Sequence, residues 1–196
     1  MKHGHHLPLE RCPHCNVAKP SIIQKISPIL TGDHAGANTR AWAIYACVTC
    51  GGVILAYSTQ NANTQISQLW PAPAEVAETV PTRAREFLTQ AISSLSAPAG
   101  AVMLTASAVD AMLKDKGYKE GSLNSRIDCA AKDHLITTDM AAWAHEVRLE
   151  ANDQRHADES AALPDATDAQ KVIEFATALA QFLYVLPARI ERGRKS

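Results

Sequence analysis

Aromatic residues make up only 5% of this chain: 3 Trp, 4 Tyr and 3 Phe in 196 residues. So thin a supply of large rings argues against a β-sandwich core, and plentiful alanine suits helices packed closely together. Excess charge of either sign is also lacking. Lys+Arg 19 against Asp+Glu 20 leaves a net charge of −1, so no strong overall field draws the chain to nucleic acid or an anionic membrane. A nucleic-acid partner would need a local patch. No apolar stretch approaches the length of a membrane-spanning helix, and Met1-Lys2-His3-Gly4-His5-His6 is not followed by the apolar run of a signal peptide. A soluble, cytoplasmic protein is expected. Gly-rich phosphate loops, dinucleotide fingerprints and nucleophile elbows are missing as well.

What stands out instead is cysteine in pairs. Cys12-Pro13-His14-Cys15 and Cys47-Val48-Thr49-Cys50 are two Cys-x-x-Cys knuckles, the second followed by Gly51-Gly52. Four thiolates in two knuckles match the tetrahedral structural site of Zn²⁺, so Cys12, Cys15, Cys47 and Cys50 are the expected ligands. In a reducing compartment paired cysteines hold metal more readily than they form disulfides; the alternative is a redox pair or a disulfide staple. Cys129, between Ile127 and Ala130-Ala131, reads as a buried small hydrophobe. His3, His5 and His6 read as a disordered start.

The first 58 residues therefore read as a small β zinc ribbon. Arg40–Ala46 and Val53–Tyr57 have strand character on either side of the second knuckle, and residues 31–38 form a turn-rich loop. Residues 59–80, proline-punctuated at Trp70-Pro71-Ala72-Pro73 and Val80-Pro81, read as a linker with an extended segment that lies on the second domain. Residues 81–196 read as five helices in a bundle. Thr82 is placed as the cap of the first, whose stripe is Phe87, Leu88, Ala91, Ile92 and Leu95. Pro98 opens the second, which stops at Gly117. The third spans about Leu123 to Lys132. Thr137 or Thr138 caps the fourth, running to about His156. Thr167 and Gln170 are placed as the capping box of the last, with the stripe Val172, Phe175, Ala176, Leu179, Phe182, Leu183 and Leu186.

Chemistry, if present, belongs to the fourth helix. Met140, Ala144, Val147 and Ala151 share a core face. Beside it Arg148, Asn152 and His156 form a polar ribbon at i, i+4, i+8, with His145 on the same side. A guanidinium, an amide and an imidazole along one ridge suit a phosphodiester: the His moves a proton and the Arg holds negative charge. Arg148 and His156 lie roughly 12 Å apart along a straight helix, so one phosphate meets both only if the helix breaks or a second copy contributes. Arg155 is a possible stand-in. The bland alternative pairs Arg148 with Glu146 or Asp110 and leaves Asn152 and His156 to finish the helix.

The order of motifs is itself informative: Trp70-Pro71, Val80-Pro81, Gly100-Ala101, Ser125-Arg126-Ile127, Arg148-x-x-x-Asn152-x-x-x-His156 and Leu183-Tyr184-Val185-Leu186-Pro187-Ala188-Arg189-Ile190. Over about residues 65–190 this pattern resembles the bacterial domain of unknown function 4145, which is similar to the HEPN superfamily of helical domains. The resemblance implies a mainly α, five-helix HEPN-like bundle, commonly a homodimer, in proteins of defence or stress. It marks Asn152 and His156 as a polar residue and histidine of an RNA-cutting motif, with Arg148 as the nearby arginine. Ala151 stands where that arginine usually is, and Thr105-Ala106-Ser107-Ala108 lacks a second one. The function expected is therefore non-catalytic binding of nucleic acid, nucleotide or a protein partner. The alternative is a metal-independent endoribonuclease using Arg148, Asn152 and His156 across a dimer. The tail Arg189–Lys195 is either a phosphate-touching patch or a solvated helix end.

Overall fold

The computed structural model describes residues 1–156 and 162–195. The chain divides into two compact units, Met1–Ala74 and Glu75–Ser196.

The first unit is an antiparallel meander of four strands in the order β1-β2-β3-β4: β1 Ile22–Thr31, β2 Arg40–Cys47, β3 Val53–Thr59 and β4 Ile66–Trp70. Strict alternation builds β2 and β3. Ala41, Ala43, Tyr45 and Cys47 are buried, as are Ile54, Ala56 and Ser58, while the residues between them face the other side. The buried face packs on Leu7, Leu9, Ile22 and Leu69. β1 and β4 were not expected as strands. β1 carries Pro28 and two register shifts, between Gln24 and Ile26 and between Ile26 and Ile29, features that an edge strand tolerates. β4 lies inside the segment expected as a linker, and its extended stretch, expected to lie on the helical domain, pairs with β3 as the fourth strand of the sheet.

The N-terminal residues are ordered, contrary to the expectation of a disordered start. Lys2 bridges Gln65 and His6 bridges Ile23. The Tyr45 hydroxyl, on a fully buried ring, needs partners, and finds His3 Nδ1 at 3.1 Å and the Gly4 N–H at 3.4 Å.

The second unit is helical. Among the described residues it holds five continuous helices: α1 Thr82–Ser93, α2 Pro98–Asp115, α3 Leu123–Lys132, α4 Thr138–His156 and α5. α5 runs Ala166–Arg194 without a break, passing through a π-helical turn at Gln181–Val185. α2 is central and packs against α1, α3, α4 and α5. Ala101, Thr105, Ala106 and Ala108 keep its surface low, so its neighbours approach closely. α5 is long and apolar enough to cross a membrane by length and composition, a stretch the sequence reading overlooked. Yet 44% of its most apolar window is buried.

Local details depart from expectation in instructive ways. Pro81, not Thr82, occupies the cap position of α1. The capping box of α5 is Asp165 with Asp168, two residues before Thr167 and Gln170, because a carboxylate accepts two N–H groups at once. The π-turn adds a residue to one turn and slips the apolar phase, burying Leu183 and Tyr184 while Phe182 and Leu186 stay exposed. Cys129 is exposed rather than buried, since α3 buries Ile127 and Ala130, three residues apart on its inner side.

Candidate metal centre and anion groove

The two cysteine knuckles converge. The Sγ atoms of Cys12, Cys15, Cys47 and Cys50 all lie within 4.8 Å of one another, and those of Cys12 and Cys50 are 3.9 Å apart. Tetrahedral ligation at about 2.3 Å per sulfur sets neighbouring sulfurs roughly 3.8 Å apart, so the cluster fits a bound metal ion. The knuckles share one local design. His14 N–H points to Cys12 Sγ and Gly52 N–H to Cys50 Sγ, each at 3.4 Å. The residue after each second cysteine is left-handed, Asn16 at φ 57° and Gly51 at φ 72°, a conformation Asn and Gly accept most readily. Gly52 has a different task. A Cβ there would meet the His14 ring at 2.4 Å, and His14 Nε2 donates to the Val53 carbonyl at 2.8 Å, lacing one knuckle to the other.

Without a cation the four thiols compete. Burial pushes the Cys47 thiol up, but the N–H groups of Cys50 and Thr49 with the Cys12 and Cys50 sulfurs bring it down to about 7. The Val17 N–H favours the Cys15 thiolate, but burial and the Cys50 and Cys12 sulfurs push its pKa up to about 12. Four sulfurs so close cannot all ionise unless a cation neutralises them.

In the helical unit, two adjoining grooves share Ala106, Ser122, Leu123 and Arg155 among their walls. The larger, about 530 Å³, adds Arg83, Asp110, Lys114 and Arg126. The smaller, about 220 Å³, adds Asn124, Arg148, Ala151 and Asn152. Much of the charge in the larger groove is spent within it. Arg126 Nη1 donates to Asp110 Oδ1 at 2.7 Å and Nη2 to the Gly121 carbonyl at 2.6 Å, while Lys114 Nζ holds Asp110 Oδ2 at 2.6 Å. Asp110, a partner that spacing offered Arg148, is therefore engaged by others. Arg148 makes no ion pair among the described residues, and its Nε is buried with no hydrogen-bond partner there.

Of the predicted ridge, Arg148 and Asn152 line the smaller groove, and Arg155, the stand-in, joins them; His156 does not. α4 runs unbroken from Thr138 to His156, which accounts for this. Seven residues are close to two turns and return Arg155 to the side of Arg148, whereas eight overshoot by roughly 80° about the axis. His145 is occupied elsewhere, its Nε2 3.0 Å from Asp128 Oδ1.

The opposite wall is the start of α3, which the search for reactive side chains on α4 missed. Ser122 caps α3 by accepting the Ser125 N–H, and Ser122, Leu123 and Asn124 all line the groove. A helix's first N–H groups are those left unpaired inside it, and the dipole adds positive potential. An anion placed here meets a helix N-terminus on one side and Arg148, Asn152 and Arg155 on the other.

No curated protein and no solved structure matches the chain. A family described as a domain of unknown function (DUF4145) matches residues 88–195, more than half of the chain. The chain belongs to that family, whose match takes in α2 to α5 and with them both walls of the groove.

Proposed function

We propose that this protein is a non-catalytic binding module that takes a phosphate-bearing ligand of nucleotide size into the groove of its HEPN-like helical unit. Its four cysteines hold a structural Zn²⁺. The observation that carries the reading is the convergence of Arg148, Asn152 and Arg155 with Ser122, Leu123 and Asn124 of the start of α3 on one groove, while Arg148 makes no ion pair among the described residues. A phosphate in the groove meets the guanidinium of Arg148 at its outer fork and gains a charge-assisted pair of hydrogen bonds there. Asn152 and the first N–H groups of α3 complete the anion's shell, and Arg155 adds charge at the junction of the two grooves. The larger groove has room for a base and sugar beside the phosphates, being within the size range of small-molecule sites.

Zinc is the metal that four thiolates in two knuckles suit, and its role here is to fold the sheet unit. The bacterial setting of defence or stress follows from the family resemblance. A homodimer fits the exposed apolar stripe Phe182, Leu186 and Ile190 on the last turns of α5, and sedimentation of the purified chain tests it. Cutting RNA is the less favoured reading, because His156 stands off the groove that holds Arg148 and Asn152.

The test is melting of the helical unit, followed at 222 nm, with pyrophosphate or ATP added. Either probe at hundredfold excess over its dissociation constant stabilises the folded state by about 2.7 kcal/mol. The melting point should rise in the native protein and stay unmoved in Arg148→Ala. An equal rise in both, or none in either, contradicts the proposal.

A further inference from the structure

We infer that the outer face of the β-sheet is a docking surface for single-stranded nucleic acid, a site separate from the helical groove and not dependent on it. Half of the protein's few aromatic side chains are tyrosines and phenylalanines inside or beside its cores, yet Trp42, Tyr57 and Trp70 gather on this one face. Their ring centroids are 4.9 Å (Trp42–Tyr57), 5.6 Å (Tyr57–Trp70) and 5.9 Å (Trp42–Trp70) apart, with planes inclined by only 18–34°. The register explains the gathering: Trp42 pairs with Tyr57 across β2 and β3, and Trp70 pairs with Leu55, two residues along β3 from Tyr57. The same face continues through Ile29, opposite Trp42, which is 57% exposed. Trp70, on the edge strand, is 38% exposed.

An apolar sheet face suits several occupants, and charge selects among them. None of the four strands contains an acidic residue. Residues 1–74 hold Lys2, Arg11, Lys19, Lys25 and Arg40 against only Glu10 and Asp33. Counting Lys, Arg, Asp and Glu alone, the sheet unit carries +3 within a chain of −1; with Zn²⁺ on four thiolates it stays positive at +1 while the chain falls to −3, an asymmetry that the total conceals. Asp33 is turned inward to its own loop, its Oδ1 accepting from the Ala35 and Ala37 N–H groups. Arg40 places its guanidinium 5.2 Å from the centre of the Tyr57 ring, beside the aromatic patch. Stacking rings flanked by a cation, with no carboxylate on the strands, are what unpaired bases and their phosphates require. A second copy of this chain would bring the same positive charge to the same face, which opposes it.

The experiment uses the purified full chain and a fluorescein-labelled oligothymidine of about 12 nucleotides, followed by anisotropy over a range of salt. Binding should weaken steeply as salt rises. Trp70→Leu keeps an apolar side chain but removes the ring, and should weaken binding by about tenfold. Arg40→Gln, a surface exchange that keeps the test valid should Trp70→Leu unfold, should lower the salt slope by about one. Absence of binding at about 50 mM salt overturns the inference, given the steep salt law. So does binding that both variants leave intact, or that Arg148→Ala abolishes while they do not. A salt-insensitive dimer that both variants disrupt would instead assign the face to a second copy.

Discussion

Arg126 and Asp110 are joined at 2.7 Å, with Arg126 side-chain exposure only 10%, and this pair ties the start of α3 to α2. Because Asp110 also takes Lys114, both its oxygens are engaged and it is not free for Arg148. The groove's positive character thus depends on a neutralisation a few residues away.

Replacing Arg126 by Ala removes the pair and the bonds to the Gly121 and Lys119 carbonyls. Its loss should lower the stability of the helical unit by about 1–3 kcal/mol, since the hydrogen bonds of a largely buried guanidinium go and Asp110 keeps only Lys114. Urea unfolding followed at 222 nm measures this. Arg126→Lys should recover only part, because an ammonium cannot reproduce the fork.

Gly52→Ala puts a methyl group where the His14 ring lies. The ring must leave the Val53 carbonyl or the knuckle must shift, at a cost of about 1–3 kcal/mol. Competition with a zinc chelator should show weaker metal retention than in the native protein. An unchanged affinity would mean that the His14 contact does nothing for the centre.

Stripping the metal should dismantle the sheet unit and spare the bundle. The near-ultraviolet signal of Tyr45 and the Trp42–Tyr57–Trp70 group should fade while the helical signal at 222 nm persists. Simultaneous loss of both signals would contradict the independence of the two units.

Burial lowers the pKa of His3, against the opposing hydrogen bond to Ala41. The folded state therefore binds fewer protons than the unfolded one between the lowered value and 6.5. Stability of the sheet unit is full above pH 6.5 and falls as pH drops through that window. Metal loss has its own acid dependence, so the measured quantity is the difference between native and His3→Gln unfolding profiles, which should narrow toward pH 5.

RNA incubated with the purified protein should remain uncut, and His156→Ala should change nothing in binding. Fragments ending in 2′,3′-cyclic phosphate that disappear in His156→Ala would restore the nuclease reading.

Much of this was legible in the chain. Two knuckles announced the sulfur cluster, Pro98 and Gly117 bounded α2, and the limits Leu123 and Lys132 of α3 were read from the sequence. β1 and β4 were hidden because bulges, Pro28 and the polar pair Ser67-Gln68 break the alternation that reveals a strand. At the groove, i, i+4 spacing brought Arg148 and Asn152 together, whereas i+8 carries His156 roughly 80° round the axis from Arg148, outside that groove. Ser122 and Asn124 could not be found that way. They come from another helix, and their contribution is partly backbone N–H, which leaves no residue signature.

The most direct measurement is the Nε–H resonance of Arg148 in a ¹⁵N-labelled protein, assigned by its disappearance in Arg148→Lys, during titration with ATP. The account expects that resonance to shift and to saturate with the same dissociation constant as bulk binding. ATP binding that leaves it unmoved, or no ATP binding at all, would contradict the groove as the ligand site.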